Sequence, residues 1–213
     1  MGGGHRMSTY ISRAKWGASP PVKTLPLSTK LKGVCLHWMG FHIEGDSTRL
    51  VKSIQRNHMS PPKSWWDLAY NEMIDQDGNV FEGRGLTHRS GAQGGTRNNK
   101  AYYALGLMVG PGQPPSDELV AAVRKRIKVI RTMQPSATAV VGHNELKATS
   151  CPGPDIERMI RAGMFEPRPV DVPIPDPLPD LGPLKERVEA IEMEVAALYA
   201  DIEALYEKAG ANG

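Results

Sequence analysis

The sequence has 213 residues, of which 40% are apolar, enough for one domain with a substantial core and a smaller additional segment. Its net charge of +3 is unevenly distributed, because residues 166–213 carry 4 Lys or Arg against 11 Asp or Glu, a net charge of −7, which leaves +10 on the first 165 residues. No run of about 18 apolar residues occurs, which excludes a membrane-spanning helix and predicts no stable membrane insertion.

The beginning of the chain and its cysteines favour synthesis in a reducing compartment. The first residues, MGGGHRM, have no apolar stretch behind them and do not resemble a secretory signal. Cys35 and Cys151 are too few for a disulfide framework, so they are predicted to be reduced thiols or metal ligands. The positive charge suits an anionic partner, but no nucleic-acid motif accompanies it, so nucleic acid is not favoured.

Strand and helix patterns alternate from residue 8 to residue 165, which indicates an α/β sheet covered by helices. The apolar run GVCLHW, residues 33–38, predicts a buried strand. Further on, Ser47 is predicted to cap a helix, and His58 is assigned to its core-facing side. The same helical face carries Leu50, Val51 and Ile54.

The middle of the chain contains a hairpin signal, two further strands and a second long helix. Two strand-like runs flank the dipeptide Asp77-Gly78 in AYNEMIDQDGNVFEG, which is typical of a β-hairpin. The runs YYALGLMV and TAVVGH predict further strands. Between them, Ser116 is predicted to cap a helix. The inward face of that helix carries Leu119, Val123, Ile127 and Ile130.

A proline-rich linker and a heptad pattern follow. In residues 166–183 proline recurs every two or three positions, which indicates a stiff, extended linker. Residues 184–208 are predicted to form an amphipathic helix, which either associates with a second copy as a coiled coil or packs on the α/β domain of its own chain. Its apolar seam consists of Leu184, Val188, Ile191, Val195, Leu198, Ile202 and Leu205.

His143 and Cys151 stand eight residues apart in GHNELKATSCPG, and both residue types bind zinc well. Taken alone, the pair indicates either a zinc site or a loop histidine and an unrelated buried cysteine. A catalytic zinc site needs a third protein ligand. His37 is preferred to His42 because His37 ends a predicted central strand, where α/β sheets tend to display functional side chains. Cys35, two residues earlier, is predicted to face the same side of the sheet and is assigned to the core.

Five segments resemble those of one enzyme family and occur in its order: ISRAKWGA, CLHWMG, SWWDLAYNEMIDQDGNVFEGRG, ALGLMVG and GHNELKATSCPG. They cover roughly residues 10–160. The sequence thus resembles the type 2, zinc-dependent N-acetylmuramoyl-L-alanine amidases, which share their fold with peptidoglycan recognition proteins and many phage lysins. The resemblance implies a central mixed β-sheet flanked by helices in a catalytic domain of residues 8–165.

The resemblance also implies the site. His37, His143 and Cys151 correspond to the ligands of Zn²⁺, and Tyr70, three residues after Asp67, corresponds to the catalytic tyrosine on the strand beside the site. Thr149 stands where many relatives have a catalytic lysine, and it can donate a hydrogen bond without adding charge. Gln93, one of the implied substrate contacts, stands where relatives often have a histidine. These contacts are Trp65, Trp66, Gln93 and Asn98.

The function implied by the resemblance is zinc-dependent hydrolysis of the amide bond between N-acetylmuramic acid and L-alanine in bacterial peptidoglycan. A phage endolysin, made in the host cytoplasm and acting on the wall after release, is the implied setting. Two alternatives stay open: a module that binds peptidoglycan without cutting it, and a regulatory protein whose acidic C-terminal helix contacts a partner. Cys151 favours catalysis, because recognition-only relatives usually lack the cysteine ligand.

Overall fold

The computed structural model describes residues 9–168, and these residues form one mixed β-sheet with helices on both faces. This arrangement confirms the predicted fold of the domain. The predicted linker, apart from residues 166–168, and the predicted helix at 184–208 lie outside the described residues.

The described strands and helices alternate along the chain. The strands are β1 (Tyr10–Ile11), β2 (Gly33–Trp38), β3 (Glu72–Ile74), β4 (Val80–Glu82), β5 (Tyr102–Leu107) and β6 (Ala139–Gly142). The helices are α1 (Arg13–Trp16), α2 (Ser47–Met59), α3 (Thr96–Ala101), α4 (Asp117–Met133) and α5 (Pro154–Arg161). One 3-10 turn, His143–Glu145, follows β6 directly.

The sheet order is β1-β4-β3-β5-β2-β6, so β2 lies between β5 and β6. It pairs in parallel with both neighbours, while β3 and β4 form the antiparallel hairpin predicted around Asp77-Gly78. Val34 and Leu36 of β2 face the larger core under α4 and α5. The alternation of side chains therefore turns Cys35 and His37 toward the other face, where α1 and α2 pack.

Helix caps confirm one prediction and correct another. The Ser116 hydroxyl accepts a hydrogen bond from the Leu119 amide at 3.1 Å, so Ser116 caps α4 as predicted, and the predicted inward face is buried. For α2 the predicted cap, Ser47, is wrong. Asp46 has the extended backbone of a cap and accepts from the Arg49 amide at 2.8 Å, so Ser47 is the first helical residue. Within residues 9–168, none of the helices combines the length and apolar character needed to cross a bilayer.

Candidate metal centre and groove

Two histidines meet because their strands are neighbours. Leu36 of β2 pairs with Gly142, the last residue of β6, so the residues that follow, His37 and His143, emerge side by side. Their ring centroids are 4.6 Å apart. The turn after β6 is fixed by Glu145, whose carboxylate accepts a hydrogen bond from the Gly142 amide at 2.7 Å. Sheet register therefore creates this pair from residues 106 positions apart in the chain.

The loop after this turn brings Cys151 to the histidines. The Cys151 sulfur lies 3.6 Å from Nδ1 of His37, and its amide donates to the Thr149 hydroxyl at 3.3 Å. Directly after the loop, Gly153 has a φ of +86°, and a Cβ there would lie 2.4 Å from the Trp38 ring. The tight approach of Gly153 to Trp38 thus holds the cysteine loop against the end of β2. Pro154 is the first residue of α5, a position that suits proline because its missing amide hydrogen would have no partner within the helix.

The three side chains fit a metal ion. One ligand atom from each of His37, His143 and Cys151 can be chosen so that all three lie within 4.8 Å of one another. Nε2 of both histidines is buried without a hydrogen-bond partner among the described residues, which is costly unless something else satisfies it. Two imidazoles and a thiol match tetrahedral zinc with one open position. His42 is exposed beside Glu44 and outside this cluster.

Burial sets the protonation of the ligands. It lowers the pKa of His37 well below the ordinary value, and the neighbouring His143 lowers it further. The pKa of His143 is also lowered, mainly by burial and then by Lys147. Both imidazoles are therefore neutral and free to bind a metal at neutral pH. Burial raises the pKa of Cys151 to about 11, although a backbone hydrogen bond involving Trp38 opposes this shift, so the thiol keeps its proton until a cation replaces it.

Tyr70 lies beside the histidines but not on a strand, so its predicted placement is wrong. It precedes β3 by two residues, in an irregular segment anchored by a hydrogen bond from the Arg84 amide to the Tyr70 carbonyl at 3.0 Å. Its ring centroid is 5.3 Å from that of His37. Gly106 makes room for the ring, since a Cβ there would lie 3.1 Å from it. Burial, with Cys151 and Cys35 nearby, raises the pKa of Tyr70, which keeps its hydroxyl as a donor.

A buried ion pair supports the segment that leads to Tyr70. Asp67 is almost fully buried and forms two hydrogen bonds with the Arg13 guanidinium, at 2.9 and 3.2 Å. The Gln55 amide and the Leu68 backbone also donate to it, both at 2.7 Å. Asp67, which the sequence pattern linked to Tyr70, therefore acts through backbone position and does not reach the metal ligands.

A groove of about 640 Å³ lies over the three ligand side chains. Trp65 and Thr149 line it, together with Phe41, Lys63 and His58. Sequence reasoning assigned His58 to the core. The side chain is indeed buried, and its Nδ1 accepts from the Ala69 amide at 3.1 Å, which leaves Nε2–H as the donor of the neutral ring. Leu50, Ile54 and His58 all line the groove and recur at helical spacing on α2. That spacing is the feature of the sequence that could have placed His58 in the groove.

Three of the predicted substrate contacts lie away from this groove. Trp66 packs under the ammonium of Lys23, 5.0 Å from the ring centroid. Gln93 is fully buried, accepts from the Ser90 hydroxyl at 2.6 Å and donates to the Tyr102 carbonyl at 3.2 Å, so it supports its loop. Asn98 donates to the Leu146 carbonyl at 3.1 Å and lines a different cleft. Trp65, by contrast, is 40% exposed in the groove wall.

Comparison with known proteins identifies the family. A family model described as N-acetylmuramoyl-L-alanine amidase matches residues 27–154. Peptidoglycan-recognition protein SC1a of Drosophila melanogaster is 31% identical over 160 residues, which cover 71% of this chain and 83% of that protein. The N-acetylmuramoyl-L-alanine amidase of Sus scrofa is 31% identical over 115 residues, which cover 52% of this chain and 19% of that protein.

A solved structure supports the fold. Peptidoglycan recognition protein LE, crystallised with tracheal cytotoxin, a monomeric diaminopimelic acid-type peptidoglycan, superposes with a TM-score of 0.66. The superposition covers 73% of this chain and 94% of that chain at 23% identity. The match to the family model agrees with this likeness and spans β2 to the start of α5, with all three candidate ligands. This chain is therefore a member of the N-acetylmuramoyl-L-alanine amidase family, whose fold it shares with peptidoglycan recognition proteins.

Proposed function

We propose that the protein is a zinc-dependent amidase that hydrolyses the bond between N-acetylmuramic acid and L-alanine in bacterial peptidoglycan. The observation that carries the proposal is the cluster of His37, His143 and Cys151 at the base of an open groove in a chain of this family. Zinc held there would polarise the scissile carbonyl and make water a stronger nucleophile.

The protein's own groups have complementary roles in this reaction. The Tyr70 hydroxyl, protonated and next to His37, would donate to the carbonyl oxygen as negative charge develops on it. Thr149 lines the same groove and would donate a hydrogen bond from its hydroxyl at the edge of the site. Trp65 offers an exposed apolar wall, against which a sugar ring or a peptide methyl can pack.

Peptidoglycan is the proposed partner because the named relatives act on it or recognise it. The excess of positive charge on the first 165 residues suits an anionic wall. Purified protein would be incubated with peptidoglycan, with and without a zinc chelator, while new alanine amino groups and new reducing sugar ends are counted separately. We expect chelator-sensitive release of amino groups without reducing ends. Reducing ends in place of amino groups would contradict the proposal.

The sharpest variant is Cys151→Ser, with His42→Ala as its matched control. Serine is a poor zinc ligand, so we expect the first variant to lose most of its bound zinc and to slow hydrolysis by at least about 100-fold. His42 is exposed and outside the ligand cluster, so His42→Ala should keep its bound zinc and its rate of hydrolysis. Metal content and rate would be measured on the same preparations. Full activity in Cys151→Ser would refute the metal assignment.

A binding module without catalysis is the second candidate, favoured by the relatives that are named recognition proteins. In that case the protein would sediment with peptidoglycan, and neither amino groups nor reducing ends would appear at any zinc concentration. The complete set of ligand-type side chains favours catalysis.

We further propose an endolysin role, with synthesis in the host cytoplasm and access to the wall after release. The free thiols of Cys35 and Cys151 support this, since a ligand thiol must stay reduced. Expressed inside a bacterial host, the protein should cause lysis only after the membrane is permeabilised. Lysis of cells with intact membranes would contradict this role.

A further inference from the structure

A second cleft, of about 580 Å³, is lined by positive charge. Its cationic side chains are Lys30, Lys32, Arg97 and Lys100, and within residues 9–168 its other lining residues include no aspartate or glutamate. The segment after β6 contributes to both clefts, because Leu146 lines this one while His143 and Thr149 line the groove of the candidate metal centre. The basic cleft therefore adjoins the segment that supplies two groove side chains.

The backbone around the basic cleft is well anchored. The Lys32 amide donates to the Ala101 carbonyl at 2.7 Å, and the Lys32 carbonyl accepts from the Ala139 amide at 3.1 Å. The Asn98 side chain ties α3 to the Leu146 carbonyl at 3.1 Å. The four cations thus project from α3 and from the segment before β2, and the spacing of their backbone attachment points is set before any ligand arrives.

The four cations of this cleft do not stabilise the folded protein through ion pairs among the described residues. All four are exposed, and within residues 9–168 none of them forms an ion pair. Like charges gathered in one cleft repel and reduce the free energy of unfolding. A cluster of this kind suits an anionic ligand with several charges, which would neutralise it on binding.

We propose that the basic cleft binds a phosphodiester-linked anionic polymer of the bacterial cell wall; the choice of polymer rests on the proposed function. The planar guanidinium of Arg97 matches the geometry of a phosphate, and the three lysines supply point charges along the cleft. Nucleic acid fits less well, because the only lining ring among the described residues is the half-buried Tyr102, and strand binding generally uses exposed rings for stacking. A polymer held there would keep the neighbouring groove close to the glycan strands.

The test compares two variants with equal loss of charge. The cleft variant carries Lys30→Gln, Lys32→Gln, Arg97→Gln and Lys100→Gln. The control variant carries Lys15→Gln, Arg49→Gln, Lys125→Gln and Lys128→Gln, at exposed positions outside the basic cleft. Each full-length protein would be sedimented with cell walls that retain their phosphodiester polymer and with walls stripped of it by acid.

We expect the wild type and the control variant to bind polymer-bearing walls at least tenfold more tightly than stripped walls. Raising the salt from about 50 to 200 mM should weaken this binding by roughly 50- to 150-fold, as expected for about four ionic contacts. The cleft variant should lose the preference for polymer-bearing walls. Its Tm should equal or exceed that of the wild type, because repulsion is relieved.

Several outcomes would overturn the proposal. If both variants lost binding equally, the binding would depend on net charge alone and not on the cleft. If the protein bound a DNA oligonucleotide more tightly than polymer-bearing wall, the ligand of the cleft would be nucleic acid. A lowered Tm of the cleft variant would show that the cations are structurally paired. Hydrolysis of a soluble muropeptide, measured in parallel, keeps the two proposals apart: its absence in the wild type refutes the amidase, whereas polymer-dependent sedimentation supports the cleft independently.

Discussion

Tyr70 combines a structural role of its ring with a chemical role of its hydroxyl, and a conservative variant separates them. In Tyr70→Phe the ring can keep its contacts with Gly106 and His37. We expect kcat to fall by about 100-fold, as for the loss of one oxyanion donor, while zinc content stays unchanged. Tyr102→Phe, outside the groove, is the matched control. If zinc were lost together with activity, the role of Tyr70 would be structural.

The ligand thiol predicts a pH dependence of zinc affinity. The metal-free Cys151 has a pKa of about 11, whereas bound zinc requires the thiolate, so each binding event displaces one proton at neutral pH. His37 and His143 have lowered pKa values and are already neutral there. The dissociation constant should therefore fall about tenfold per pH unit between pH 7 and 9. Competition with a chromophoric chelator measures the slope, and a flat profile would mean that the thiolate exists before zinc arrives.

Individual residues differ in how far the sequence reveals them. His37, His143 and Cys151 were predicted from ligand chemistry, strand position and motif order, and the structure brings them within 4.8 Å. Their role as zinc ligands stays a prediction. The buried position of Gln93 was not predictable, because its partners, the Ser90 hydroxyl and the Tyr102 carbonyl, are set by a loop without regular periodicity.

At the scale of elements, the junction between the cysteine loop and α5 depends on one glycine. A Cβ at Gly153 would meet the Trp38 ring at 2.4 Å and would sit on a left-handed backbone. Gly153→Ala should destabilise the protein by about 2–4 kcal/mol and weaken zinc binding, because the Cys151 loop is displaced. Gly163→Ala is the matched control, since the φ of Gly163 is +66° but no atom of residues 9–168 would lie within 4 Å of the added Cβ.

Thermal unfolding and zinc competition on both glycine variants separate steric conflict from backbone strain. The control should lose only about 1–2 kcal/mol and keep its zinc affinity. Equal effects in the two variants would show that the contact with Trp38 does not position the loop.

Long periodic elements were predictable, and short ones were not. β2, the β3–β4 hairpin and α4 follow clear alternation or helical spacing, and the structure confirms them. β1 has two residues, too few for a period, and becomes a strand only by pairing with β4. The cap of α2 was misplaced by one position, because both Asp46 and Ser47 are good capping residues and only the backbone geometry decides between them.

At the scale of the whole molecule, the described domain should function without the acidic C-terminal segment. Phe165 is buried and Glu166 pairs with Arg131 at 2.6 Å, so a chain ending at residue 168 retains both contacts. We expect this truncation to keep the wild-type Tm and to hydrolyse a soluble muropeptide at the wild-type rate. A chain ending at Gly163 is the control. It loses Phe165 and should be destabilised by about 3–5 kcal/mol.

The full chain and the chain that ends at residue 168 should also differ in self-association. The heptads predicted in residues 184–208 imply a weak, concentration-dependent dimer of the full chain and a monomer after truncation. Sedimentation of both forms at micromolar concentration would show the difference. A monomeric full chain would exclude the coiled coil, and loss of hydrolysis on truncation would support the alternative in which the C-terminal segment performs the function.

The adjacency of β2 and β6 has a consequence for how the protein survives in a cell. Because the ligands meet only after parallel strands from distant parts of the chain have paired, the unfolded polypeptide offers no formed site. On the proposed zinc assignment, bound zinc would stabilise the native state by about 4 kcal/mol at a free zinc concentration a thousandfold above the dissociation constant. Zinc-depleted protein should therefore unfold more often and be degraded faster by cellular proteases. The supply of zinc would then set the lifetime of the protein as well as its activity.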